Sequence, residues 1–155
     1  MAHPMQDNMM ELVDFEVAQS GGCSTLALDD FLDAEDDAER LSKYCRHVTF
    51  AQDSVIFEVG DHSDEFYIIL SGQVDFYFPD GSLEMSLTPG NLFGYVDCQL
   101  GISRTQKVRT AADSVPVLLA AISTASLDRM GSQGKRCYSP SFVGVFKLKR
   151  RIPLF

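Results

Sequence analysis

The sequence predicts a mainly β fold, a sandwich or barrel, flanked by helices. Between residues 48 and 122 the chain contains short runs rich in Val, Ile, Phe and Tyr, the residue types that favour strands. Turn signals separate these runs at intervals of twelve, nine and nine residues, which is the spacing of an all-β domain. A tight turn between strands usually requires a positive φ, which glycine adopts readily. The turn glycines are Gly60, Gly72, Gly81 and Gly90.

The N-terminal part of the chain contains two segments with different sequence patterns. Residues 1–25 show no sustained periodicity and contain Ser20-Gly21-Gly22, so we predict a flexible arm. Residues 26–47 are predicted to form an acidic amphipathic helix or helix pair that ends near Arg46. Apolar side chains there recur at spacings of three and four residues among Asp and Glu. They are Leu28, Phe31, Leu32, Leu41, Tyr44 and Cys45.

Five runs are predicted as strands: VIFEV, EFYIIL, QVDFYF, KVRTAA and VPVLLAAI. Side chains alternate between the two faces of a strand, so one set is expected to point largely toward a common interior. This set is Ile56, Phe66, Ile68, Leu70, Val74 and Phe76. Residues 123–155 are predicted to be helical. Ser123 is the expected N-cap of the first helix, and residues 141–152 form a second helix that Pro153 stops.

Charge and composition limit the function classes. The 155 residues carry a net charge of −9, which disfavours nucleic acid and anionic membrane as partners. Residues 129–155 instead carry seven basic and no acidic side chains. The segment from Lys147 to Arg151 is either a solvated helix end or a contact surface for the protein's own acidic face or for a partner.

Several kinds of site lack their sequence signals. The four cysteines are scattered, so neither a disulfide framework nor a zinc site is expected. No catalytic triad or Walker glycine loop is present, and His47 and His62 are interpreted as structural, so we expect a non-enzyme. No apolar run is long enough to cross a bilayer, and no signal peptide is evident. We therefore expect a cytoplasmic chain.

Three stretches resemble the cyclic nucleotide-binding domain family. Residues 50–61 (FAQDSVIFEVGD) and 64–74 (DEFYIILSGQV) are similar to the family's F-x-x-G-x-x-I-F-x-x-G-D and D-x-F-Y-I-I-x-S-G-x-V. Residues 92–111 (LFGYVDCQLGISRTQKVRTA) resemble its phosphate-binding cassette, which has Phe-Gly-Glu, a short helix and Pro-Arg-Ala-Ala-Thr-Val. The resemblance covers residues 28–130. It implies a double-stranded β-helix, or jelly roll, over residues 48–122 within one domain of residues 26–155.

The resemblance also implies a ligand site, with two departures from the family pattern. Arg104 would be the phosphate partner, and Gly94 would allow close approach of the backbone, while the amides of Val96, Asp97 and Thr105 would line the pocket. Tyr95 replaces the Glu that accepts from the ribose hydroxyl, and its ring is expected where the ribose would lie.

Asp97 replaces a small residue beside the phosphate, and repulsion at about 4 Å would cost roughly 4 kcal/mol at an effective dielectric constant of about 20. An internal Arg104–Asp97 pair is expected to fill the pocket. Cyclic nucleotide is thus a disfavoured ligand, and no metal is expected.

Three function classes remain open. The first is a non-catalytic regulatory or interaction module with a degenerate cassette, acting on a protein partner or binding a small anionic or nucleoside-like ligand. The second is a genuine cyclic AMP or cyclic GMP sensor of the kinase regulatory subunit or channel type. The third is a transcription factor, but only about 25 residues follow Met130, too few for a helix-turn-helix. A cupin-like metalloenzyme would need a His-rich ligand set that the strands lack.

One narrower resemblance concerns the setting of the domain. Residues 99–104 and 117–130 resemble, in their pattern of residues, the domains that follow the membrane and STAS parts of some SulP-type sulphate transporters. This implies that the chain is the cytosolic tail of a transporter, with membrane contact only through the fused part.

Overall fold

The computed structural model describes residues 28, 32, 35–113, 115–132 and 155. In these ranges the predicted mainly β fold with flanking helices is confirmed. The helices delimited within the described residues are α1 (Glu35–Ser42), α2 (Tyr95–Leu100) and α3 (Thr124–Ser132). The strands delimited there are β1 (Cys45–Phe50), β2 (Val55–Phe57), β3 (Glu65–Ser71), β4 (Val74–Tyr77), β5 (Leu83–Leu87), β6 (Leu92–Phe93), β7 (Lys107–Thr110) and β8 (Val117–Ser123).

The strands form two antiparallel sheets of four. One sheet has the order β1-β8-β3-β6, and the other has the order β2-β7-β4-β5. Strands far apart in sequence therefore lie side by side, as when Val48 of β1 pairs with Leu119 of β8. This arrangement is the predicted β-roll, and it places β6, α2 and β7 close together around the cassette.

Strand β8 shows how the two hydrophobic cores arise. Its residues 117–122 form a continuous apolar run and are all buried. Alternation sends Val117, Leu119 and Ala121 into a core between the two sheets. The other three residues, Leu118, Ala120 and Ile122, face a core under the helices. A strand that is covered on both faces lacks the polar alternation of a half-exposed strand.

The predicted common interior is wrong in one respect. All six residues of the set are buried, but they divide between the two cores. Ile56, Val74 and Phe76 lie between the sheets, whereas Phe66, Ile68 and Leu70 lie under the helices. The first sheet separates the two cores, and the helices cover its second face.

The predicted helical segment of residues 26–47 is also wrong at its C-terminal end. Helix α1 ends at Ser42, and β1 starts at Cys45. Cys45 pairs with Ile122 and His47 pairs with Ala120 across the ladder to β8. Pairing with a central strand overrides the helical spacing of a few apolar residues, because burial and cross-strand contacts outweigh local propensity.

Three strands have no counterpart among the predicted runs, namely β1, β5 and β6. Strand β5 lies at the edge of its sheet and is largely exposed, so it lacks a strong apolar pattern. Strand β6 has only two residues. The predicted run VIFEV forms a strand only as far as Phe57.

Two local predictions are confirmed. Ser123 caps α3, because its Oγ accepts from the N–H of Ser126 at 3.0 Å. The four turn glycines have φ between 86° and 93°. At Gly72 a Cβ atom would also lie 2.7 Å from Cγ2 of Val117, so the turn needs glycine for space as well.

Three predicted segments lie outside the described residues: the arm (1–25), the helix at residues 141–152 and the basic segment at 147–151. No helix in the described part of the chain is long and apolar enough to cross a membrane.

Candidate functional site

The cassette is built around the short helix α2. Gly94 precedes it with φ 76°, and Gly101 follows it with φ 66°. The N–H of Gly101 bonds to the carbonyl of Cys98, and the N–H of Ile102 bonds to that of Asp97. Both glycines thus adopt left-handed conformations that turn the chain sharply into and out of the helix. The predicted sequence of turn, short helix and Arg is therefore present.

Arg104 is held in place by its backbone and its side chain together. Its N–H donates to Asp61 and its carbonyl accepts from Gly60, both at 2.8 Å, which attaches the end of the cassette to the β2–β3 turn. The guanidinium is buried, with the residue only 3% exposed. Nη1 donates to the carbonyl of Gly94 at 2.7 Å, and Nη2 donates to the carbonyl of Glu65.

An aromatic ring completes the surroundings of this cation. The guanidinium carbon lies 4.1 Å from the ring centroid of Phe57, in cation–π contact. Nε of Arg104 is buried and has no acceptor among the described residues. Among the described residues no carboxylate pairs with Arg104, and its guanidinium donates mainly to backbone carbonyls.

The predicted Arg104–Asp97 pair is wrong. The carboxylate of Asp97 accepts from the backbone N–H of Thr105 at 3.3 Å and from the Thr105 hydroxyl at 3.2 Å. Asp97 lies in α2 and Thr105 precedes β7, so these bonds tie the two ends of the cassette together. Arg104 instead points inward beneath Gly94, where the carbonyls of Gly94 and Glu65 accept from its guanidinium.

The expected position of the Tyr95 ring is wrong as well. Tyr95 is only 4% exposed and belongs to the core under the helices. Its ring meets that of Phe66 edge-on, with centroids 5.1 Å apart. A large apolar ring at the first position of α2 gains more from this core than from an open pocket. The ring of Tyr95 therefore lies in the core and does not line the cavity beside the cassette.

A cavity of about 210 Å³ adjoins the cassette. Four of the predicted site residues line it, namely Gly94, Val96, Asp97 and Thr105. The side chains of Tyr95 and Arg104 are directed elsewhere. The remaining lining residues are Phe57, Phe76, Gln106 and Phe155, none of which the sequence analysis assigned to the site. The strand pattern identifies Phe76 as buried, but only the packing of the two sheets shows that it also borders the cavity.

Phe155 makes specific contacts in this cavity. Its backbone oxygen accepts from the N–H of Tyr95 at 2.9 Å and from that of Val96 at 3.4 Å. Its ring lies 6.4 Å from that of Phe76, centroid to centroid. No sequence signal predicted this contact, because 59 residues separate Val96 from Phe155.

Cys98 lies beside the cassette but is poorly suited to nucleophilic chemistry. Its thiol donates to the carbonyl of Glu65 at 3.1 Å and lies 3.9 Å from Nη1 of Arg104. Burial raises the pKa of Cys98, and the nearby Arg104 charge opposes this only in part. The thiol therefore stays protonated at neutral pH. Among the described residues no group of His, Cys, Asp and Glu is arranged to hold a metal ion.

Comparison with known families agrees with this geometry. The model of the cyclic nucleotide-binding domain matches residues 47–133, more than half of the chain. The chain belongs to the cyclic nucleotide-binding domain family. The matched residues include the whole cassette around α2.

One curated relative of this cyclic nucleotide-binding domain is a cAMP-dependent protein kinase regulatory subunit from Candida albicans. It is 39% identical over 67 residues, which cover 43% of this chain and 14% of the relative. The chain therefore corresponds to only about a seventh of that protein's length.

Two solved structures share the fold. The N-terminal domain of a transcriptional regulator from Streptomyces coelicolor is 28% identical, with a TM-score of 0.55 over 66% of this chain and 74% of that chain. A cAMP-binding acyltransferase from Mycobacterium smegmatis is 21% identical, with a TM-score of 0.55 over 81% of this chain and 38% of that chain. The second likeness concerns the fold alone.

Proposed function

We propose that this domain is a non-catalytic regulatory module whose cassette binds cyclic nucleotides only weakly. The observation that carries the proposal is the position of Asp97. Its carboxylate lies in the wall of the cavity and bonds to Thr105, whose amide is one of the expected phosphate donors. A cyclic phosphate would meet a fixed negative charge there, and like charges at short range repel strongly where water is partly excluded.

Arg104 supports the same proposal. Its guanidinium is bonded to the carbonyls of Gly94 and Glu65 and does not line the cavity. To meet a phosphate it would have to give up both hydrogen bonds, and a hydrogen bond to a charged group contributes about 1.5–3 kcal/mol. The bond to Gly94 is buried, whereas the Glu65 carbonyl would keep its bond from the Cys98 thiol. The counter-charge of the site is thus available only at the expense of the cassette's own hydrogen bonds.

The absence of an acidic side chain at position 95 adds a third argument. Tyr95 replaces the Glu of the family pattern and is committed to the core. A charged hydrogen bond contributes about 1.5–3 kcal/mol, so its loss weakens ribose binding by one to two orders of magnitude. With a poor ligand site, the module would exert its regulation through a protein partner or a different small ligand.

A genuine cyclic nucleotide sensor is the second candidate. The segment that is 39% identical to the kinase regulatory subunit favours it. The name of that relative, a regulatory subunit of a protein kinase, also supports a protein partner for this module.

The transporter setting is a further proposal, and it rests only on the resemblance of residues 99–104 and 117–130. The coding sequence upstream of this chain tests it, since a transporter tail requires a membrane domain there.

Calorimetric titration with cyclic AMP, cyclic GMP and adenosine tests the proposed function. We expect dissociation constants of about 100 µM or weaker for both cyclic nucleotides. Adenosine, which lacks the phosphate, is expected to bind no more weakly than cyclic AMP, because the phosphate adds little here. A dissociation constant in the low micromolar range for either cyclic nucleotide would instead establish the sensor function.

A further inference from the structure

The cavity beside the cassette is already in contact with a residue of the same chain. Phe155 lines it, and the backbone oxygen of Phe155 accepts hydrogen bonds from Tyr95 and Val96. The N–H groups in the first turn of a helix lack acceptors within that helix and need an outside partner. In the family pattern such amides face phosphate oxygens. Here the backbone oxygen of Phe155 takes that place for two of them.

The Phe155 side chain matches the apolar part of the cavity. Phe57 and Phe76 supply two aromatic rings there, and both are buried. The rings of Phe155 and Phe76 meet at an angle of 58° with centroids 6.4 Å apart, within the usual range for aromatic pairs. Phe155 also packs against the core between the sheets. Its position thus combines two hydrogen bonds with apolar contact.

Two departures from the family pattern suit Phe155 better than a cyclic nucleotide. Two backbone amides hold the oxygen of Phe155, so this contact does not need Arg104, whose guanidinium donates to backbone carbonyls instead. A peptide has no ribose, so it does not need an acidic group at position 95.

We propose that this cavity is a binding site for an aromatic peptide residue and that Phe155 is its intramolecular ligand. The inference rests on the proposed function, because it concerns the same cavity and explains what occupies a cassette that disfavours cyclic nucleotides. At about 210 Å³, the remaining space is smaller than most pockets for small molecules. A cyclic nucleotide therefore has to displace Phe155 to enter.

Two variants of the full chain test the inference. Phe155→Ala removes the ring from the cavity, and Phe78→Ala is the matched control, because Phe78 is 45% exposed and lies outside the cavity lining. The first readout is the amide ¹H–¹⁵N spectrum. We expect Phe155→Ala to shift the Tyr95 and Val96 resonances more than those of strand β5, and Phe78→Ala to leave both amides in place. Unchanged Tyr95 and Val96 resonances in Phe155→Ala would overturn the proposal.

The second readout is binding of a synthetic peptide with the sequence of residues 150–155 and a free C-terminal carboxylate, as in the chain itself. Calorimetry should show at least about tenfold tighter binding to Phe155→Ala than to the unmodified chain, since only the variant has an open site. The same peptide with Ala in place of its final Phe should not bind the variant. Equal affinity of the Phe peptide for the variant and the unmodified chain would contradict the proposal.

Titration of both proteins with cyclic AMP separates failure of this inference from failure of the proposed function. Tight binding by the unmodified chain overturns the proposed function, whatever the peptide does. Weak binding by the unmodified chain with tight binding by Phe155→Ala supports the intramolecular ligand and shows that Phe155, rather than Asp97, limits the affinity. Weak binding by both proteins together with peptide capture by the variant supports both proposals.

Discussion

The carboxylate of Asp97 accepts two hydrogen bonds from Thr105, one from its backbone N–H and one from its hydroxyl. This contact joins helix α2 to the segment before β7, so a side chain of the protein itself holds the two ends of the cassette together. The resemblance to the family implies that a ligand phosphate would use the amide of Thr105. The protein thus uses one of its own carboxylates where the family pattern places a ligand anion.

Replacing Asp97 should improve binding of cyclic AMP. In Asp97→Ala the Thr105 amide is released and the negative charge in the cavity wall is removed, so we expect the affinity to rise about tenfold, or about 1.4 kcal/mol. Calorimetric titration measures this. Asp75→Ala is the control, because Asp75 bonds to Gln73 and Ser86 on a different part of the molecule. An affinity that stays the same in Asp97→Ala would show that Asp97 does not limit binding.

Loss of the Arg104 side chain should destabilise the fold strongly. Arg104→Ala removes the guanidinium hydrogen bonds to the carbonyls of Gly94 and Glu65 and the contact with Phe57, for a loss of about 3 kcal/mol. Arg109→Ala is a matched control with a half-exposed ion pair to Asp53, and it should cost less than about 1 kcal/mol. Urea denaturation measures both values, and equal losses would refute the buried role of Arg104.

Gly94 should tolerate a side chain less well than Gly101. Both have positive φ, which costs about 1–2 kcal/mol for alanine. At Gly94 a Cβ atom would also lie 2.9 Å from Nη1 of Arg104, whereas at Gly101 nothing lies within 4 Å. Because Nη1 is fixed by its bond to the Gly94 carbonyl, we expect Gly94→Ala to lower the free energy of unfolding by at least about 1 kcal/mol more than Gly101→Ala. Similar losses in the two variants would mean that Arg104 moves aside easily.

Restoring the family's acidic residue at position 95 should harm the protein. Tyr95→Glu would place a carboxylate in the core under the helices, with a loss of at least about 2 kcal/mol. Tyr95→Phe keeps the ring against Phe66, so it should cost no more than about 1.5 kcal/mol. Thermal or urea unfolding distinguishes the two variants. If Tyr95→Glu were as stable as the unmodified chain and bound cyclic AMP tightly, the side chain at this position would have to reach the cavity.

Stability should fall below neutral pH because of His47. Burial lowers the pKa of His47 below its ordinary value of 6.5. The unfolded chain then binds a proton at His47 more tightly than the folded chain does. The contribution of neutral His47 to the free energy of unfolding is therefore complete above about pH 6.5, and it is lost as the pH falls toward the pKa of the folded state. Urea unfolding at about pH 7.5 and about pH 5.5 should show a smaller pH dependence in His47→Gln than in His62→Gln, which changes an exposed histidine. Equal pH dependence in the two variants would exclude His47 as the cause.

Much of the architecture follows from local chemistry in the sequence. Glycines at regular intervals supply the turns that separate the strands, and runs such as EFYIIL carry the branched and aromatic side chains that strands favour. Ser123 caps its helix because its hydroxyl reaches an amide three residues ahead. Each of these features depends on neighbours along the chain, so their positions can be predicted from the sequence.

The start of β1 and the edge strand β5 could not be predicted in the same way. Cys45 and His47 fit a helical spacing as well as a strand, and only the ladder to β8 decides between them. Strand β5 is mostly exposed, so its backbone pairing with β4, rather than its side chains, makes it a strand. Where two local patterns compete, the hydrogen-bonding partner across the sheet determines the outcome.

The sequence by itself determined where the cassette lies and which residue types it contains, because the Gly94 turn, the short helix and Arg104 follow one another along the chain. Only the tertiary structure decided what those residues contact. Arg104 bonds to the carbonyls of Gly94 and Glu65, and Phe155 reaches the amides of Tyr95 and Val96 across a long sequence separation. The physical reason is that buried hydrogen-bonding groups must find partners in three dimensions, and those partners are set by the packing of the two sheets and α2.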